Sequence, residues 1–197
     1  MSVWSEDDDR LSRLIADDDW QAVELFIREC GSAELNLIWN LGSLQIEDAR
    51  LDDACRLWHA LRGEDDLPRY LSFEPESMKP LLGYIMVIEK VVESDDLTYR
   101  LYGSFVASRY AEDRTGQSLT VRNAGMGQFF NAAYRASMHR KEPLFTRHAP
   151  PPDSKVKACQ RLILPFRRQG EAAEILVVAN VAYAPHSGPM RILRPDN

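Results

Sequence analysis

Apolar positions along this chain fall into two regimes. Towards the N-terminus they recur at helical spacing, and beyond Gly83 they alternate or run on continuously. Leu11, Leu14 and Ile15 predict a short helix over 10–16 between two acidic clusters. Trp20, Val23, Ile27 and Cys30 form one stripe, widened by Phe26, with Asp17 or Asp18 placed to cap it. Leu37, Ile38, Leu41 and Leu44, with Trp39 beside them, predict a second helix over 33–43. Ala54, Leu57, Trp58 and Leu61 align in a third, which Arg62-Gly63 terminates.

The pattern changes after Pro68, Pro75 and Pro80, which restrict a linker of little periodicity. Gly83–Val92 is β-branched and apolar on both faces, as in a strand inside a sheet. Glu93–Asp96 is a polar hairpin turn into a strand at 97–102. Gly103 breaks that strand, and Phe105, Val106, Arg109 and Tyr110 then recur at helical spacing. Phe130, Tyr134 and Met138, with Phe129 and Ala133, mark the best helix of the second half. Leu144–His148 suits a short edge strand. The segment 156–167 alternates with Leu162, Leu164 and Phe166 on one face, and Pro165 predicts a bulge or an unpaired position. Glu174–Tyr183 is the last strand.

Two strands, short helices, a longer helix and three strands predict an α+β domain. Its five-stranded antiparallel sheet carries helices on one face, and an α-helical extension precedes it. The divisions are an acidic helical extension at 1–52, a helix leading into the domain at 53–66, the domain at 67–184 and a tail at 185–197. A small-molecule pocket belongs between the sheet and its helical side.

Charge sharpens the division. Residues 1–66 hold 17 acidic and 6 basic side chains, a net of −11, and the remainder hold 13 and 18, a net of +5. The basic residues form no long run and no aromatic platform, which argues against nucleic acid, and the acidic N-terminal helices oppose a recognition helix. No apolar run reaches membrane-spanning length. The acidic N-terminus lacks the blocks of a signal peptide, which favours the cytoplasm. Cys30, Cys55 and Cys159 are widely spaced and read as small thiols rather than a metal or disulfide set.

Four motifs in order carry a resemblance. They are LWHALRGEDDLPRYLSFEP at Leu57–Pro75, YRLYG at Tyr99–Gly103, DRTGQSL at Asp113–Leu119 and LPF at Leu164–Phe166. With the topology, they resemble the PAS fold, and more sharply a bacterial family of single PAS-like domains found mainly in alphaproteobacteria. The resemblance covers about residues 53–184, and Tyr70 and Leu71 depart from that family's basic or polar pair. It implies a stand-alone signalling domain that acts by contact with a protein partner and often dimerises. PAS domains also bind flavin, haem or small metabolites, and the resemblance leaves the cofactor unknown.

The sequence assigns no catalytic residue. Ser104 lacks a nucleophile-elbow context, Glu112 and Asp113 are adjacent, and Gly125-Met126-Gly127 is too short to cradle phosphate. No cysteine lies in Phe105–Thr115 for a flavin photocycle, and no spacing suits zinc. His139 and His148 read as surface histidines. Candidate ligand-binding residues are Phe105, Arg109, Tyr110, Phe130, Tyr134, Met138, Leu164 and Val178; Arg100 and Arg109 are candidates to orient an anionic group. Ala54, Leu57, Trp58 and Leu61 are candidates for a protein interface, including a homodimer. The leading expectation is a non-enzymatic signalling adaptor; the alternative is a sensor of a small metabolite or cofactor.

Overall fold

A computed structural model describes residues 6–30, 35–39, 41, 46–122, 124–149 and 158–183. Its elements are α1 (Glu6–Ala16), α2 (Trp20–Glu29), β1 (Leu35–Ile38), α3 (Ala49–Arg62), β2 (Ile85–Lys90), β3 (Leu97–Tyr102), α4 (Ser104–Tyr110), α5 (Met126–Arg140), β4 (Leu144–His148), β5 (Ala158–Phe166) and β6 (Ile175–Tyr183). Short 3-10 segments occupy Tyr70–Ser72, Pro75–Leu81 and Leu119–Arg122. The proposed tail lies outside the described residues.

The strands form one antiparallel sheet in the order β1-β4-β5-β6-β2-β3. Among the described residues it has six strands rather than five, because part of the expected helix over 33–43 is β1. Leu35-Asn36-Leu37-Ile38 pairs with His148 back to Phe145. A short apolar run fits either period, and here the open ladder of β4 decides it. Leu144–His148 consequently lies inside the sheet, between β1 and β5.

Helices cover both faces rather than one. On the first face α5, α4, α1 and α2 enclose a core with Met86, Ile88, Leu97, Val106, Phe129, Tyr134, Leu144, Ile163 and Val178. On the second, α3 and the chain through the first two 3-10 segments bring Leu51, Trp58, Phe73, Met78 and Leu81 onto Phe145, Leu162, Leu164, Phe166 and Val177. This double cover explains why β5 is buried at every position and why β6 reads as an almost unbroken apolar run. Asp19 caps α2 by accepting from Ala22 N at 3.3 Å, and Asp48 caps α3 through Arg50 N at 3.0 Å.

Pro165 makes no bulge; it pairs in register with Leu176. The Phe166 carbonyl accepts from Glu174 N at 2.9 Å, so Phe166 faces β6 and Pro165 turns the other way. There β4 has already ended, its register with β5 closing at Ile163. The missing Pro165 N–H therefore costs the ladder nothing, and the Pro165 carbonyl accepts from Trp58 Nε1 at 2.7 Å.

Two glycine motifs shape the far edge. Gly103 lets the start of α4 close on the end of the Gly83 turn, where Phe105 N donates to the Gly83 carbonyl at 2.9 Å. A Cβ on Gly103 would lie 2.4 Å from that oxygen. The segment Asp113–Leu119 then folds back along β3: Gly116 N donates to the Tyr99 carbonyl at 2.7 Å, and Tyr99 N to the Gln117 carbonyl at 3.0 Å. Asp113 accepts from Thr115 N and Oγ1 at 2.9 and 2.7 Å, which sets that turn.

Candidate functional site

Strand parity places a polar row on the α5 side of the sheet. Thr146 of β4, Arg161 of β5 and Asn180 of β6 lie directly across from one another, and the next row holds His148 and Cys159. Ile163 and Val178 share their parity and belong to the core under α5, which fixes the face. Thr146 and Asn180 are wholly buried, His148 is 4% exposed and Arg161 6%.

α5 supplies the opposite wall through Phe130 and Tyr134, one helical turn apart. Arg161 Nη1 donates to the Tyr134 hydroxyl at 2.7 Å. The guanidinium carbon sits 3.5 Å from the Phe130 ring centre and 5.7 Å from that of Tyr134. Phe130 also meets the His148 imidazole edge-on at 4.7 Å. Arg109 of α4 approaches from a third side; its charge acts on Cys159 and on His148. Tyr99 and Tyr102 of β3, with rings edge-to-face at 5.1 Å, complete the aromatic surround together with the partly buried Tyr110.

The layer is cationic. Burial opposes the charge on Arg161, but a guanidinium is too basic to be deprotonated near neutral pH, and it stays charged. No ion pair with a carboxylate involves Arg161 among the described residues. Burial, followed by the charges of Arg161 and Arg109, drives His148 well below the ordinary histidine value, so it is neutral at neutral pH. Burial raises the Tyr134 phenol and, with the neighbouring Tyr99, pushes Tyr102 to about 12. These phenols are therefore neutral and present dipoles rather than charges.

Several polar atoms of this layer have no partner among the described residues: Thr146 Oγ1, His148 Nδ1, Arg161 Nε, Arg109 Nη1 and both amide atoms of Asn180. Buried polar atoms are nearly always hydrogen-bonded, so their concentration between one strand trio and two helices makes this layer the candidate site. It offers donors, a neutral imidazole and aromatic walls around one buried positive charge.

The structure brings together only part of the residue set expected from sequence. Phe130, Tyr134 and Val178 lie in or under the layer, Arg109 reaches it and Tyr110 borders it. Met138 packs between the two cores. Phe105 is 53% exposed and stacks near Tyr84 at 4.8 Å, outside the layer. Leu164 points to the opposite face, because it shares parity with Leu162 and Phe166 rather than with Arg161. Arg100 lies outside as well, 3.6 Å from Glu89. His148 is not a surface histidine, since β1 covers β4. Arg161, Thr146 and Asn180 are additions. Their signal is a polar side chain within an otherwise apolar strand, as in Cys159-Gln160-Arg161-Leu162-Ile163.

The residues expected at an interface are turned inward to differing degrees. Ala54 and Trp58 are buried against the sheet, and Leu57 and Leu61 are partly buried beside them. A shallow groove elsewhere, lined by Arg62, Asp65, Asp66, Arg140, Lys141 and Glu142, has charges that pair with one another, as Lys141 does with Asp66 at 2.9 Å. Among the described residues no group of three or more His, Cys, Asp or Glu is placed to hold a metal ion. None of the described helices is long and apolar enough to cross a membrane.

The family model described as PAS domain matches residues 47–178, from the start of α3 to the middle of β6. No curated protein and no solved structure matches the chain. The matched segment contains α4, α5, β4 and β5 entire and spans well over half of the sequence, and the chain therefore belongs to the PAS domain family.

Proposed function

We propose that this chain is a non-enzymatic sensory domain of a signalling system, and that it reads the occupancy of a small molecule held between the sheet and α4–α5. The observation that carries this reading is Arg161, a buried guanidinium on the Phe130 ring with a phenol, and among the described residues no carboxylate, as its hydrogen-bond partner. An adaptor that worked only through its surface would gain nothing from a buried charge, which costs several kcal/mol to desolvate.

The same residues suggest how occupancy leaves the site. Tyr134, bonded to Arg161, sits on α5, and α5 is fastened to the N-terminal helices at both ends. Gln128 Nε2 donates to Asp8 at 2.6 Å, and Arg140 Nη1 donates to the Ala16 carbonyl at 3.0 Å. Arg140 also lies over the Trp39 ring at 4.4 Å, while Trp39 Nε1 donates to the Ile15 carbonyl at 3.3 Å. A ligand that competes with Tyr134 for Arg161 releases one anchor of α5, and α1 with β1 feels the change. The signal then passes to a partner protein, the adaptor role, through surface that includes the exposed Leu82 and Phe105.

The test is native mass spectrometry of the purified full chain, with extraction and identification of any co-purifying small molecule. A stoichiometric small molecule, lost in Arg161→Met, is the expected result. A chain that carries none, and whose unfolding midpoint no small-molecule library member moves, returns the protein to the pure adaptor reading.

A further inference from the structure

Resting on the ligand-sensing reading above, the geometry points to a small organic carboxylate as the molecule that this layer recognises, with Arg161 as its charge partner and Asn180, Thr146 and Arg109 as its hydrogen-bonding frame. Three independent features converge on that chemistry.

The first is charge. Arg161 is buried and Arg109 reaches the same layer, while neither Thr146, His148, Cys159, Asn180, Phe130 nor Tyr134 can carry a compensating negative charge near neutral pH. A neutral ligand leaves the guanidinium uncompensated; an anion removes that penalty. The second is directionality. Tyr134 and Phe130 hold one edge and one face of the Arg161 guanidinium, and Nε remains unpartnered. Asn180 lies directly across from Arg161 on one side and Thr146 directly across on the other. Polar side chains thus flank the guanidinium on both sides, and its Nε is left to donate to a carboxylate oxygen.

The third separates a carboxylate from phosphate. Asn180 Oδ1 and His148 Nδ1 are unpartnered as well, so the layer presents acceptor capacity beside its donors. Phe130, Tyr134 and Tyr99 add apolar surface. A carboxylate on a small carbon body that also bears a donor satisfies both requirements. A phosphate offers acceptors on all sides and has no use for the aromatic walls.

The experiment measures unfolding midpoints and binding heats of the full chain with acetate, succinate, citrate, malate and benzoate. Inorganic phosphate and the neutral amides succinamide and benzamide serve as matched controls. At least one carboxylate should raise the midpoint saturably and bind at one site, and its amide should not. Arg161→Met should weaken that binding roughly ten- to hundredfold, the worth of a charge-assisted pair. Because Arg161→Met removes a buried polar group and could misfold, Asn180→Asp provides a second arm. It puts a carboxylate directly across from Arg161, and should raise the basal midpoint while abolishing the response to added acid.

An Asn180→Asp chain that keeps the full response overturns the proposal. So does a response to phosphate alone, or an amide that works as well as its acid. The last two outcomes leave the sensory reading standing with another ligand class. Absence of any response across the panel overturns the carboxylate assignment. If native mass spectrometry also finds no small molecule, the sensory reading fails with it.

Discussion

The Trp58 indole N–H donates to the Pro165 carbonyl at 2.7 Å, joining α3 to the one position of β5 whose backbone has no N–H to give. The bond closes the second face of the sheet over a long stretch of sequence and uses an oxygen that β4 no longer reaches. Trp58 is 1% exposed, so its ring and its polar atom are both committed inside the chain. Trp58→Phe keeps most of the ring and strands the Pro165 carbonyl, and should cost about 1–3 kcal/mol. Trp58→Ala also opens a cavity and should cost about 3–5 kcal/mol. Urea unfolding midpoints check both. Equal, small losses would mean that α3 is held by its other contacts and that Trp58 is available to a partner.

His148 makes stability depend on pH with a definite sign. Its folded value lies well below 6.5, through burial first and the charges of Arg161 and Arg109 second. Unfolding therefore takes up a proton once the pH falls below the unfolded value near 6.5. The stability is fully present above that pH and declines below it, with a slope approaching about 1.4 kcal/mol per pH unit from this residue. The groups facing it are Phe130 of α5, Arg109 of α4, and Arg161 and Cys159 of β5, and none is a carboxylate that would hold a proton on the imidazole. His148→Asn should flatten the change in unfolding free energy between pH 7.5 and 5.5. An unchanged slope in that variant would show that His148 is protonated or exposed in the folded chain.

Much of this architecture was legible in the sequence, for stated reasons. The continuous apolar character of Gly83–Val92 and Glu174–Tyr183 announced strands buried on both sides, and β2 and β6 are such strands. The four-residue recurrence of Phe130, Tyr134 and Met138 announced α5. Leu35–Ile38 was not legible as a strand, because four residues fit either period and the decision belongs to the open edge of β4. The position of Leu164 failed on the same kind of non-local fact. Its parity with Leu162 and Phe166 was evident, but which parity meets α5 is settled only when α3 takes the other face. His148 looked superficial because a short strand before a proline-rich loop reads as an edge. Of the two arginines considered for orienting an anion, Arg100 is left on the outside, near Glu89, by the register shift between Val87 and Ile88.

Gly103 and Gly116 separate two reasons for a glycine. Gly103 has an ordinary backbone, with φ of −57°, but a Cβ there would meet the Gly83 and Ile85 carbonyl oxygens at 2.4 and 2.6 Å. These are backbone atoms of the turn that launches β2, so they cannot swing aside. Gly116 has open space around it but φ of +81°. Gly103→Ala should therefore cost about 1–3 kcal/mol by overpacking and displace α4 from the binding layer. Gly116→Ala should cost about 1–2 kcal/mol through its left-handed backbone alone and leave ligand response intact. Thermal melts with and without ligand distinguish them; a Gly103→Ala chain with normal stability would mean that α4 can lift off Gly83 without cost.

The N-terminal helices offer the last prediction, because the matched family segment begins at residue 47 while the core does not. Leu11, Ile15, Val23 and Ile27 are each under 5% exposed and share one core with Phe129, Ala132, Ala133 and Ala136 of α5. Burying one such large aliphatic side chain is worth about 1.5–3 kcal/mol. Deleting residues 1–45 uncovers that side of α5, removes the Asp8 and Ala16 acceptors of Gln128 and Arg140, and reopens the ladder of β4. The remaining five strands still pair, and β5 and β6 keep their cover from α3, so strand signal in circular dichroism should persist. The unfolding midpoint should fall sharply, by the equivalent of about 5 kcal/mol or more of a domain's usual 5–15. Amide exchange should accelerate first in α5 and β4, the two elements that lose their neighbours. An unchanged midpoint with α5 still protected would show that residues 1–45 are a detachable extension and that the route from Arg161 through Tyr134 to α1 transmits nothing.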